Sequence, residues 1–151
     1  MTKSWGPCTW YLFHTLAEKM IEDQFITQKS RLLQIIKSIC YNLPCPDCAL
    51  HAKTKINTLN ESSINSKKDL KLMLLSFHNE VNVRLGKPIF TENELYEKYK
   101  SANTTLIIQY FLQNWSKKTH NPKLMSEELH KSRVVNNFVE WWKNNYSSYY
   151  T

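Results

Sequence analysis

The sequence predicts an all-α protein, and three observations support this. The chain has 151 residues, enough for one domain with a buried core. It contains only two glycines and five prolines, fewer turn residues than a protein of many short strands needs. Apolar residues recur three and four positions apart along most of the chain, the period of amphipathic helices. We therefore expect a four-helix bundle with an additional C-terminal helical extension.

The first two helices are predicted from their apolar stripes. Pro7, which has no N–H to leave unpaired at a helix start, begins a helix over residues 7 to 22. Thr27 is a candidate N-cap for the second helix, which should end before Pro44. The stripes consist of Leu12, Phe13, Leu16, Ala17 and Met20 in the first helix, and Leu32, Ile35, Ile36, Ile39 and Leu43 in the second.

Local start and stop signals delimit the next two helices. Pro46 should begin a third helix that reaches about Lys55, with Cys45 at or beside its N-cap. A polar loop over residues 57–68 follows and is the longest in the chain. The fourth helix has Ser66 and Asp69 as its start signal and Gly86 as its stop signal.

The C-terminal half is predicted to contain two more helices. A capping-box pattern from Thr91 to Glu94 begins a helix that should run to about Trp115. The last helix, from about Ser126 to Tyr146, should place one apolar face against the rest of the protein. That face consists of Leu129, Val135, Phe138, Val139 and Trp142.

Composition and charge argue against several classes of function. The formal net charge of +7 comes mostly from lysines spread along the chain, without the basic cluster typical of nucleic-acid binding. The N-terminus has no apolar signal-peptide region, and no apolar run is long enough to span a bilayer. Four cysteines are too few for a disulfide scaffold, which favours metal binding or redox chemistry.

Three of these cysteines lie together in "CYNLPCPDCALH", residues 40 to 51. Cys45 and Cys48 are three positions apart at a helix start, where unpaired N–H groups favour a thiolate. A thioredoxin is disfavoured because its CxxC motif follows a strand, whereas here a helix precedes it. On this segment alone, a redox dithiol and a zinc site of Cys40, Cys45, Cys48 and His51 remain equally possible.

Polar side chains at core positions favour the redox interpretation. His78, Asn82 and Leu85 fall on one face of the fourth helix, in line with core positions. Trp10 and His14 form a similar pair in the first helix, and buried polar groups need hydrogen-bond partners. A flat polar ligand bound beside the dithiol would provide those partners.

Three motifs in this order resemble the FAD-linked sulfhydryl oxidases of the Erv/ALR type, in particular the compact members of large DNA viruses. They are "WGPCTWYLFHT" at residues 5–15, "PCPDCALH" at residues 44–51 and "HNEVNVRLGKPIF" at residues 78–90. The resemblance implies an oxidase core over residues 1–100 that holds FAD. Residues 101–151 would be a helical extension packed on or beside that core.

The resemblance also implies the chemistry. Electrons would pass from protein dithiols, or from a small thiol redox carrier protein, through the Cys45–Cys48 disulfide to FAD and then to oxygen, giving hydrogen peroxide. Cys45 would exchange with the substrate and Cys48 would lie against the flavin, with no metal involved. The implied cofactor-binding residues are Gly6, Trp10, His14, Cys48, His51, His78, Asn79, Val81, Asn82, Leu85 and Lys87.

Further expectations follow from the same family. The resemblance implies a homodimer formed through the first two helices, without a membrane span or nucleic acid, and located in the host cytoplasm or the virion.

If the first two helices form an antiparallel hairpin, Cys8 lies near Cys40. These two cysteines could form a disulfide, remain buried thiols, or in the case of Cys40 relay electrons to Cys45.

Overall fold

The computed structural model describes residues 5–115 and 125–151. Within these ranges the chain forms seven α-helices and no β-strand, which confirms the all-α prediction. Residues 1–4 of the predicted core and 116–124 of the predicted extension lie outside the described residues. The helices are α1 Trp5–Lys19, α2 Phe25–Tyr41, α3 Pro46–Asn57, α4 Lys67–Arg84, α5 Glu92–Tyr99, α6 Thr104–Trp115 and α7 Met125–Asn145.

Helix α1 occupies the centre of the fold. Helices α4, α5 and α6 pack against it, while α2 packs against α3 and α7. Residues 12–17 of α1 are all buried, and six consecutive residues cover more than one full helical turn. Neighbouring helices therefore enclose α1 around its whole circumference at this level.

The boundaries of the first two helices differ from their prediction. Helix α1 ends at Lys19, because Met20 forms an isolated β-bridge with Tyr149 and the Ile21 N–H donates to the Ser148 carbonyl. Helix α2 begins at Phe25, so Thr27 is not its N-cap. The Thr27 hydroxyl instead donates to the Gln24 carbonyl from within the first turn.

The single helix predicted from Thr91 to Trp115 is two helices. The capping box of Thr91 and Glu94 is present, but α5 ends at Tyr99. The Asn103 side chain then accepts a hydrogen bond from the Leu106 N–H at 3.1 Å, which caps the start of α6. A residue of α1 also stabilises the break between α5 and α6, because the Lys19 Nζ donates to the Lys100 carbonyl.

Most of the buried apolar residues form one continuous core. Helices α6 and α7 contribute to it directly, mainly through the aromatic residues Phe111, Trp115, Phe138 and Trp141. A smaller cluster of Leu75, Leu95 and Tyr99 lies where α5 meets α4. The C-terminal helices therefore share the core that encloses α1.

Two residues expected on apolar core faces are exposed. Leu85, at the end of α4, has 53% of its surface exposed, and Leu129 on α7 has 67%. Of the other residues predicted for that face of α7, Phe138 is buried, and Val135, Val139 and Trp142 pack against the core while partly buried; Val134 and Trp141 are buried beside them. Along the described ranges, no helix combines the length and the apolar character that crossing a membrane requires.

Candidate active site

The dithiol lies at the N-terminus of α3. Cys45 is the N-cap residue and Pro46 occupies the first turn, as the sequence predicted. The Cys48 N–H donates to Cys45 Sγ at 3.3 Å. Such an N–H group, together with the positive end of the helix dipole, stabilises negative charge on Cys45 Sγ.

Cys48 lines a cleft of about 930 Å³, and Cys45 lies outside its wall. The cleft extends from the start of α3 between α1 and α4 towards α5. Its size falls within the range of cofactor sites. Of the predicted cofactor-binding residues, it is lined by Gly6, Trp10, Cys48, His51, His78, Val81, Asn82, Leu85 and Lys87.

A flat polar and aromatic wall forms one side of this cleft. The Trp10 ring stacks on the His78 ring with centroids 4.1 Å apart and planes inclined by 6°. Behind it, His14 Nε2 lies 2.8 Å from His78 Nδ1, so one imidazole donates and the other accepts. His14 itself is buried behind the cleft wall with 3% of its surface exposed.

Both imidazoles are neutral at physiological pH. Burial, with smaller contributions from His78 and Lys98, lowers the pKa of His14 to about 3. Burial, assisted by the charges of Lys98 and Lys87, lowers the pKa of His78 to about 4. The histidine pair therefore presents an uncharged hydrogen-bonded surface, suited to stacking against a ring rather than to holding an anion.

The cleft also contains an unsatisfied donor and a surplus of cations. Asn82 Nδ2 is buried and has no hydrogen-bond partner among the described residues, although its residue lines the cleft. Arg84, Lys87 and Lys98 line the same cleft. A ligand with polar ring atoms and an anionic portion would complement both features.

Comparison with known proteins identifies the family. The model of the Erv1/Alr family matches residues 7–100. The chain belongs to the Erv1/Alr family. An FAD-linked sulfhydryl oxidase of African swine fever virus is 30% identical over 116 residues, which cover 74% of this chain and 96% of the viral protein. The FAD-linked sulfhydryl oxidase ERV1 of Oryza sativa subsp. japonica is 33% identical over 85 residues, covering 56% of this chain and 43% of the plant protein. No solved structure matches this Erv1/Alr protein.

Asn79 of this Erv1/Alr protein has a different environment from the other predicted site residues. Its side-chain amide donates to the Phe90 carbonyl and accepts from the Phe90 N–H, both at 2.9 Å. This pair of bonds fastens the segment after α4 back onto that helix. Gly86 permits the turn because its φ of +70° is in the left-handed region. Asn79 thus lies outside the cleft wall.

Several residues of the cleft were not anticipated from the sequence. Lys55 lies on the same face of α3 as His51, and its Nζ forms a 2.7 Å ion pair with Glu80 of α4. The four-residue spacing from His51 is a signal that could have identified Lys55. Lys98 and Tyr99 reach the cleft from α5, and no local pattern links that helix to the dithiol.

The alternative zinc site is not supported by this Erv1/Alr structure. No cluster of histidine, cysteine or acidic side chains suited to a metal occurs in the described ranges. Cys40 is buried in the core, whereas His51 is exposed on α3. The predicted ligand set of Cys40, Cys45, Cys48 and His51 is therefore not favoured as a metal site.

Cys40 is also poorly suited to relay electrons, although it lines the cleft. Burial raises the pKa of its thiol to about 12, so it remains protonated and a weak nucleophile. Cys8 is buried in the same core and its Sγ contacts the Trp5 carbonyl at 3.2 Å. A Cys8–Cys40 disulfide stays a prediction.

Proposed function

We propose that this chain is an FAD-linked sulfhydryl oxidase that forms disulfide bonds in proteins. The observation that carries the proposal is the cleft that joins Cys48 to the stacked rings of Trp10 and His78. Membership of the Erv1/Alr family and relatives named as FAD-linked sulfhydryl oxidases support the same function. The oxidase core is proposed to lie within residues 1–100, and residues 101–151 form the extension.

The residues of the cleft fit FAD. The side of the cleft formed by Trp10, Cys48 and His51 suits the flat flavin ring of FAD. The buried Asn82 Nδ2 can donate a hydrogen bond to the flavin ring or to the adenine ring. Lys87 and Arg84 are suited to the diphosphate. Gly6, His78, Val81 and Leu85 complete the wall, while His14 and Asn79 act through the residues that they hold in place.

The dithiol of the chain carries out the exchange with substrate. A substrate thiolate attacks Cys45 Sγ of the Cys45–Cys48 disulfide, and Cys48 leaves as a thiolate. The second substrate thiol then attacks the mixed disulfide, which releases Cys45 and leaves both cysteines reduced. FAD, when bound, would accept these two electrons from the reduced pair, which restores the Cys45–Cys48 disulfide, and O2 would be the final acceptor, becoming H2O2 with the two protons of the dithiol.

The proposal extends to the class of substrate and to the location of the protein. Cys45 is partly exposed outside the cleft, which favours protein dithiols or a small thiol redox carrier protein as the electron donor. The viral relative supports placement in the cytoplasm of an infected cell or in a virion. The homodimer implied by the resemblance stays a prediction that the mass of the chain in solution decides.

Two measurements on the purified protein test the proposal. The protein should show flavin absorbance, and with a small dithiol it should consume oxygen and release an equal amount of peroxide. Cys45→Ser and Cys48→Ser should each reduce oxygen consumption to the level of the buffer, with the flavin still bound. A colourless protein that cannot be loaded with FAD would contradict the proposal.

Cys40→Ala provides the matched control. This cysteine lies in the same cleft, but its pKa of about 12 keeps it protonated. We expect the variant to retain oxygen consumption within about twofold of the parent protein. Complete loss of activity with flavin still bound would instead assign Cys40 to the electron path.

A further inference from the structure

The helix that carries the dithiol has few buried contacts. Helix α3 packs mainly against α2, and Ala52 and Ile56 are the two buried residues among its twelve. Helix α4, which forms the facing wall of the cleft, has six buried residues. A helix with few buried contacts separates from the core at a lower free energy than a well-buried helix. Of these two walls, α3 is therefore the one that opens more easily.

An ion pair joins the two walls of the cleft. Lys55 Nζ on α3 lies 2.7 Å from Glu80 Oε1 on α4, and both residues line the cleft. Lys55 follows Cys48 and His51 at helical spacing, so these three residues lie on one face of α3. The ion pair thus joins α3 to α4 about two helical turns beyond Cys48.

The charges of the cleft support a positional role for this ion pair. A carboxylate that lines a cleft suited to an anionic ligand repels that ligand unless a cation neutralises it. Lys55 provides this cation for Glu80, and the two charges cancel. Arg84 and Lys87 line the same cleft and provide its positive charge. The contribution of Lys55 and Glu80 to the site is therefore the contact between two helices rather than a net charge.

We propose that Lys55 and Glu80 are positioning residues that hold α3 against α4 and so keep Cys48 close to the ligand of the cleft. Helix α3 contributes Cys48 to the cleft, and α4 contributes His78 and Asn82. Loss of the ion pair lets α3 move away from α4, which widens the cleft and speeds release of the ligand. The proposal rests on the proposed function in one respect, because it takes FAD to be that ligand.

Hydrogen exchange of the purified full chain tests the contact itself. Lys55→Met removes the ion pair, and Lys53→Met makes the same substitution on the same helix. Lys53 is exposed outside the cleft wall, with its Nζ 5.5 Å from the centroid of the Tyr41 ring. We expect peptides from α3 to exchange about two- to fivefold faster in Lys55→Met than in Lys53→Met, because a partly exposed ion pair stabilises modestly. Equal exchange in the two variants would overturn the proposal.

The rate of FAD release measures the consequence for the site. Diluted, FAD-loaded protein should release FAD about two- to fivefold faster from Lys55→Met and from Glu80→Gln than from Lys53→Met. The variant with both changes should release FAD no faster than either single variant, because all three lose the same contact. Faster release from Lys55→Met alone would indicate that Lys55 binds FAD directly, which contradicts a positioning role.

Reversal of the two charges separates this role from a general loss of stability. Lys55→Glu brings two carboxylates together, so FAD should leave this variant faster than it leaves Lys55→Met. Addition of Glu80→Lys restores opposite charges and should return the release rate to within about twofold of the parent protein. Absence of this rescue would also overturn the proposal. If the chain cannot be loaded with FAD, the proposed function fails, whereas hydrogen exchange of α3 still decides whether the ion pair holds the helix.

Discussion

Asn82 differs from the other buried polar residues of the cleft in having an amide nitrogen without a partner. Its side chain is 4% exposed, and Nδ2 makes no hydrogen bond within the described residues. Leaving a buried donor unpaired costs about 1–3 kcal/mol. A ligand that accepts a hydrogen bond from Asn82 would recover that free energy, so the residue is suited to binding rather than to stability.

Replacing Asn82 by alanine should weaken FAD binding without unfolding the protein. Loss of one neutral hydrogen bond, worth ~1 kcal/mol, raises the Kd about fivefold. Titration of the flavin-free protein with FAD measures this change. Asn136→Ala, at an exposed position of α7, is the control and should leave the Kd unchanged. An unchanged Kd in Asn82→Ala would remove this residue from the site.

The pair of His14 and His78 should make the protein sensitive to acid. Burial holds the pKa of His14 at about 3, below the ordinary value of 6.5 that it regains on unfolding. Protonation therefore favours the unfolded state, and the contribution of His14 to stability is complete above pH 6.5 and is lost as the pH falls from there towards 3. Between pH 7 and pH 5 we expect a loss of about 2 kcal/mol from His14.

Chemical denaturation at a series of pH values measures this slope, and His14→Gln is the matched variant. Glutamine retains a group able to bond with His78 but does not titrate in this range. We expect the variant to lose less stability than the parent between pH 7 and pH 5. Identical pH profiles for the two proteins would show that His14 is not held neutral by the fold.

At the level of single helices, the sequence predicted a helix start correctly where the contacts that stabilise the start are local. The capping box at Thr91 and the Cys45–Pro46 helix start depend on residues within one turn, and both are present. The break between α5 and α6 was missed because apolar residues continue at helical spacing through it. Tertiary contact with Lys19 contributes to that break, and a local pattern contains no information on such a contact.

Asn103→Ala should destabilise the start of α6. Loss of an N-cap side chain costs about 0.5–2 kcal/mol, because the Leu106 N–H loses its partner. Thermal unfolding measures the change as a lower Tm. Ser101→Ala, at an exposed position in the same connection, is the control and should leave the Tm within experimental error. Equal Tm values for the two variants would exclude Asn103 as a stabilising cap.

For the whole molecule, the all-α fold was predictable but the arrangement of the cleft was only partly so. The spacing of His78 and Asn82 placed both on one helix face, and both line the cleft. The sequence could not indicate that His14 pairs with His78, because the two are 64 residues apart and meet only after α1 and α4 pack. The contributions of Lys98 and Tyr99 depend in the same way on how α5 docks.

The contact between Gln28 and Asn145 joins residues 117 positions apart. During translation, α1 and α2 leave the ribosome long before α7 has been made. The surface of α2 that α7 covers must remain uncovered, accessible to chaperones and to other nascent chains, until synthesis reaches the last turn of α7. Closure over such a long sequence separation is slow compared with helix formation, so the packing of α7 on α2 is expected to be among the last events of folding.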